Sequence, residues 1–184
     1  MKNHVETNIV GILKQYRNSF LQKEFKNKHY DSDILMDFFN ITPEMTAKNT
    51  QYWNRELGMV WELVTKELFS SNKFFAPPES VDFGSDRPVD YFIGKIAVDT
   101  KYRMGSGDSG TLKKFKAYAE MLRKKKYESA FLILRDDNLP AAITAAKNGG
   151  WKVLVKHEAY SFIAKHGDGI DIVQYLARLK ANYF

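Results

Sequence analysis

The sequence predicts an α/β fold: a mixed central β-sheet flanked by helices and entered through a helical N-terminal region. Three observations predict it. Apolar residues recur at helical spacing through the first third of the chain. Two β-rich runs then meet at the glycine-led dipeptide Gly94-Lys95. Beyond them, helix and strand patterns alternate. The 184 residues suit one domain with a real core, divided into a helical part (1–48), a core (49–155) and C-terminal helices (156–184).

Val5, Ile9, Ile12, Leu13, Tyr16 and Phe20 share one helical face, so the first helix is expected from Val5 to about Phe25. Asp31 to Phe39 reads as a second, short helix. Thr42-Pro43-Glu44 marks a third start: an N-cap residue, then proline at the first helical position, then an acid near the positive helix end. A longer helix runs from about Asn49 to Phe69 and ends at Ser70-Ser71-Asn72. Phe74 to Pro78 is expected to be a loop, and Ser80 to Pro88 leads into the hairpin.

A two-residue type II′ turn at Gly94-Lys95 sets the hairpin register. Ile93 then pairs with Ile96, Phe92 with Ala97, Tyr91 with Val98, and Asp90 with Asp99. The two carboxylates stand opposite each other with Cβ atoms roughly 5 Å apart. Lys101, two residues beyond Asp99, shares their face. Tyr91, Ile93, Ile96 and Val98 make the other face apolar, while Phe92 and Ala97 imply that the acidic face is partly covered. Like charges directly opposite destabilise a sheet. A divalent cation between them turns that liability into a site.

After the hairpin, Met104 to Gly110 is a glycine-rich loop, either a close approach to a phosphate or a plain connector. Thr111 to about Lys126 reads as a helix with Leu112, Phe115, Tyr118, Ala119 and Leu122 inward. Ala130 to Leu134 is a strand. Pro140 to Lys147 is a helix closed by Gly149-Gly150. Trp151 to Val155 is a strand, followed by helices over about Glu158 to Lys165 and Ile170 to Leu179.

Composition narrows the chemistry. The absence of cysteine excludes disulfides, a thiol nucleophile and cysteine-ligated zinc. The four histidines lack any paired metal spacing, and neither a P-loop nor a serine nucleophile elbow occurs. No signal peptide or bilayer-length apolar run is visible, so a cytoplasmic protein without a membrane partner is expected. The net charge of +6 favours a polyanionic partner.

Pro88-Val89-Asp90, the strand ending in Asp99-Thr100-Lys101, and the helix–strand–helix–strand continuation resemble the PD-(D/E)xK nuclease superfamily over roughly residues 49 to 155. Type II restriction endonucleases are similar in size and in their N-terminal helices. Val89 separates Pro88 from Asp90, and Asp99 stands where glutamate is commoner. The resemblance implies a restriction-endonuclease-like core that hydrolyses phosphodiesters of double-stranded DNA with Mg²⁺. Asp90 and Asp99 would hold one or two ions, the Thr100 carbonyl would complete the shell, and Lys101 would orient or help deprotonate the attacking water. It further implies a homodimer on a two-fold target and a DNA methyltransferase as functional partner. A repair or recombination nuclease resembling a junction resolvase, and a non-catalytic DNA-binding module, are the competing functions.

The family often adds a glutamate from the preceding helix. The run Gly58-Met59-Val60-Trp61-Glu62-Leu63-Val64 resembles that signature and points to Glu62. The helical wheel, at about 100° per residue, instead places Glu56 on the apolar arc and Glu62 opposite it, beside Arg55 and Lys66. Both remain open. Arg87, Arg103, Lys113, Lys114 and Lys116 lie near the implied site and are candidate phosphate contacts. Arg123 to Lys126 read as a solvated helix end. Arg135-Asp136-Asp137-Asn138 reads as a polar turn and helix cap, with base contact as the second reading.

Overall fold

In the computed structural model, which describes residues 2–21, 31–105 and 109–184, five strands form one mixed sheet in the order β1-β2-β3-β4-β5. The chain divides into two units. Met1–Ser71 and Ile163–Phe184 form one; Asn72–Phe162 forms the other.

The first unit is helical: α1 (Lys2–Phe20), α2 (Ile34–Phe39), α3 (Pro43–Lys48) and α4 (Thr50–Ser70), joined by the last helix, Ile172–Tyr183. Side-chain caps set the helix starts. Asp33 accepts from the amides of Leu35 and Met36, Thr42 from Met45, and Asn49 from Tyr52. The predicted second helix therefore begins at Ile34 rather than Asp31, because Asp33 is extended and spends its carboxylate on capping. Phe20 packs edge-on against Phe39 and Trp53, with centroids 4.7 and 5.1 Å away. The last residues of the predicted first helix, 22–25, lie outside the described residues.

The second unit carries the sheet: β1 (Phe75–Ala76), β2 (Tyr91–Ile93), β3 (Ile96–Lys101), α5 (Ser109–Lys124), β4 (Glu128–Ile133), α6 (Pro140–Asn148) and β5 (Lys152–Val155). Next come α7 (His157–His166), which runs on into the first unit, and α8, the Ile172–Tyr183 helix. β1, β2 and β3 pair antiparallel, and β3, β4 and β5 pair parallel. The switch follows from the connections: a two-residue turn reverses the chain, whereas α5 and α6 carry it back for parallel pairing. The segment expected as a loop from Phe74 to Pro78 contains β1. Two residues are too short to show a strand period, and it forms because Phe75 and Ala76 find partners in Ile93 and Phe92.

One sheet face packs under α5 and α6. Phe92, Ala97, Phe131, Ile133 and Val153 meet Phe115, Ala119, Leu122, Ala142 and Ala146. Trp151 stacks on Phe131 at 3.9 Å and donates its indole N–H to the Phe115 carbonyl at 2.7 Å. The period of two along β3 puts Asp99 and Lys101 on the same side as Ala97. Charged groups thus continue a face that begins as core.

Candidate active site

The site is built on the β2–β3 hairpin. Gly94 takes φ 60, whereas Lys95 has no positive φ, the pattern of a type II′ turn. The pairs Ile93↔Ile96, Phe92↔Ala97 and Tyr91↔Val98 match the predicted register. The ladder then stops. The amide of Asp90 donates to the Val98 carbonyl at 2.8 Å, so two consecutive residues of the first strand meet one of the second, as in a bulge.

This end of the hairpin differs from the simple Asp90–Asp99 pairing. The Asp90 carboxylate accepts both the backbone N–H and the hydroxyl of Thr100, each at 2.6 Å on Oδ2. The cause is the end of the ladder. Thr100 is buried at 7% exposure, and its amide faces the edge where β2 has turned away. A buried amide needs an acceptor, and the carboxylate takes the place of the missing strand carbonyl. Such charge-assisted bonds contribute about 1.5–3 kcal/mol each.

Asp99 pairs through Oδ1 with the Lys101 ammonium, two residues along the same face. The carboxylate is 14% exposed and the lysine 37%. Asp99 stands beside Phe131 in the parallel ladder, and the ammonium lies 5.8 Å from that ring's centroid. The aromatic ring and the carboxylate together hold Lys101 at the border between core and solvent.

Tyr118 adds a group that the motif does not contain. The sequence places it inward, and its ring does pack against the core. Its hydroxyl, however, donates to Asp86 Oδ1 at 3.2 Å, on the loop before the hairpin. Burial pushes the phenol up first, followed by the charge and hydrogen bond of Asp86 and by the charge of Asp99. Asp86 and Asp99 therefore both act on Tyr118. The one signal in the sequence was its place on the flank of the α5 apolar arc, where a tyrosine keeps its polar tip wet.

The other proposed contacts scatter. Arg87 is exposed and pairs with Glu79 at 3.2 Å. Arg103 is committed to the β4–α6 loop, donating to the Asp137 carbonyl at 2.7 Å and pairing with its carboxylate at 3.1 Å. Lys113 and Lys114 are exposed on α5. Lys116 lines a hollow with Arg123, Asn148 and Lys152, on the other flank of α5 from Tyr118, because residues two apart on a helix do not share a face. Ser106, Gly107 and Asp108 of the glycine-rich loop lie outside the described residues.

Glu62 and Glu56 both sit on α4, in the first unit, while Asp90, Asp99 and Lys101 belong to the second. Both glutamates are half-buried, and Glu56 pairs with Arg55 at 2.8 Å. After burial, their charges push up the phenol of Tyr16 on α1. Neither is simply a solvated helix charge.

Arg135 is buried, with its Nε donating to Asp137 at 2.7 Å. Burial works against its charge, but the hydrogen bond to Asp137 and the nearness of Tyr102 outweigh that and raise its pKa. Asn138 accepts the Met104 amide and donates to the Arg135 carbonyl. These donors and acceptors serve the turn itself.

Among the described residues, no three or more histidine, cysteine or acidic side chains gather as a ligand set. The hairpin end instead offers two carboxylates, Asp90 and Asp99, and the Thr100 carbonyl, on the same strand edge as the amide that Asp90 binds. That hard-oxygen set fits Mg²⁺, which binds through one or two carboxylates and keeps several waters. No helix among the described residues is long and apolar enough to cross a membrane. No family model matches the chain, and no curated protein or solved structure does either.

Proposed function

We propose that this chain is a Mg²⁺-dependent endonuclease of the PD-(D/E)xK type, with a restriction-endonuclease-like core, cutting double-stranded DNA at specific sites as a homodimer. The observation that carries the proposal is the end of the hairpin. Asp90, Asp99 and Lys101 come from a stretch of twelve residues at the hairpin end where the sheet ladder runs out, and each is held by named partners.

Asp90 and Asp99 would hold the ion, with the Thr100 carbonyl next to Asp99 in sequence. When bound, Mg²⁺ supplies positive charge at the scissile phosphate and makes water a better acid. The chain's own residues do the rest. Thr100 fixes the Asp90 carboxylate through two hydrogen bonds, so it needs no reorganisation when substrate arrives. Asp99 and the Phe131 ring hold Lys101 in place. Lys101 Nζ donates to the attacking water or to a phosphate oxygen as charge builds there. Exposed Lys113 and Lys114 on α5 supply backbone-phosphate contacts. A two-fold dimer matches the two equivalent strands of a palindromic duplex, and a methyltransferase protecting the host sequence is the functional partner.

The test is incubation of purified protein with mixed plasmid or phage DNA and Mg²⁺, with EDTA as control. Discrete, EDTA-sensitive bands are expected. A smear, or cutting of branched DNA only, would replace site-specific restriction with a nonspecific or repair nuclease. Intact DNA that is nevertheless bound would reduce the chain to a binding module.

A further inference from the structure

Tyr118 stands apart from the motif in sequence, yet its ring packs on the cluster that contains Phe131, the ladder neighbour of Asp99. α5 covers the sheet face that carries Asp99 and Lys101, through Phe115, Ala119 and Leu122 against Phe131. From the flank of that helix the Tyr118 ring packs inward while its hydroxyl reaches the loop residue Asp86. We infer that Tyr118 is a further catalytic residue, whose hydroxyl donates a hydrogen bond to a non-bridging oxygen of the scissile phosphate and rests on Asp86 when substrate is absent. This inference rests on the nuclease reading above.

Three observations carry it. First, the hydroxyl is already a donor to an anionic oxygen, so a phosphate oxygen replaces like with like. Second, the bond it gives up is weak: Asp86 is exposed and the contact is 3.2 Å long, so exchanging it for a phosphate costs little. Third, the lysine of the site is already paired: Asp99 partly neutralises Lys101, and the exposed Asp86 carboxylate repels a phosphate. A neutral phenol, with an ordinary pKa near 10, adds a donor at neutral pH without adding a charge that would compete for the carboxylates. Lys116 does not fill this role, since it faces the opposite flank of α5.

The test compares wild type, Tyr118→Phe and Asp86→Ala in single-turnover cleavage of duplex DNA with Mg²⁺. Duplex affinity is measured in parallel with EDTA, and melting temperature for each protein. Tyr118→Phe is expected to slow cleavage by about 10²-fold, with affinity and melting temperature close to wild type. Asp86→Ala, which removes the resting partner and leaves the phenol, is expected to slow it by less. Wild-type cleavage with Tyr118→Phe equally fast overturns the inference and leaves the nuclease reading standing. Equal losses in the two variants also overturn it, because the tyrosine then serves only to tie the loop. A wild type that does not cleave overturns both.

Discussion

Asp90 does two jobs with one carboxylate. It completes the β3 edge by accepting from Thr100, and it presents oxygen at the place where the proposed cation would sit. The two jobs separate by substitution. Thr100→Val keeps the shape and the amide bond but removes the hydroxyl donor, and should lower unfolding free energy by about 1.5 kcal/mol in a urea titration. A change below about 0.5 kcal/mol would mean that the hydroxyl bond adds little at this edge. At this scale the hairpin register from Ile93–Ile96 to Tyr91–Val98 was legible, because turn type sets who meets whom. The tie from Asp90 to Thr100 was not, since it depends on where the ladder ends rather than on the period. Tyr118 and Asp86 were hidden for a plainer reason: they are 32 residues apart, and no local pattern joins them.

Gly94 decides the hairpin. Its φ of 60 suits glycine, and an added Cβ would find ordinary room, with Phe74 Cβ at 3.8 Å. The penalty for Gly94→Ala is therefore backbone strain, about 1–2 kcal/mol, read as a lower denaturation midpoint with an unchanged slope. The same logic made the turn readable in advance, as it did the cap at Thr42. β1 stayed invisible because two residues have no period and pair only once β2 exists.

Within the helical unit, α1 and α8 are clasped by Glu6, which accepts from Arg178 at 3.0 Å and from Tyr183 at 3.0 Å. The Arg178 hydrogen bond, then that of Tyr183, hold the Glu6 carboxyl below its ordinary value of 4.5. A carboxyl lowered by folding stabilises the fold above its unfolded value and loses that contribution as pH falls through its folded value. The melting-temperature gap between wild type and Glu6→Gln should thus be widest above pH 4.5 and close on acidification below it. A gap that grows toward low pH would contradict the assignment.

Taken whole, the chain is an α/β protein whose proposed chemistry sits in one unit, while the helical unit carries the two glutamates considered as a third acid. The alternation of helix and strand announced the class, and the five-stranded mixed sheet follows from it. The net charge of +6 is consistent with a polyanion but selects none. In the proposed nuclease, Asp99 and Lys101 cut DNA rather than merely pair on a strand. The decisive measurement is Mg²⁺-dependent cleavage of duplex DNA by wild type, Asp99→Asn and Lys101→Ala, alongside duplex binding in EDTA. Wild type should cleave, each variant should lose about 10²-fold or more, and both should still bind duplex. Cleavage that persists unchanged in both variants would contradict that role for Asp99 and Lys101.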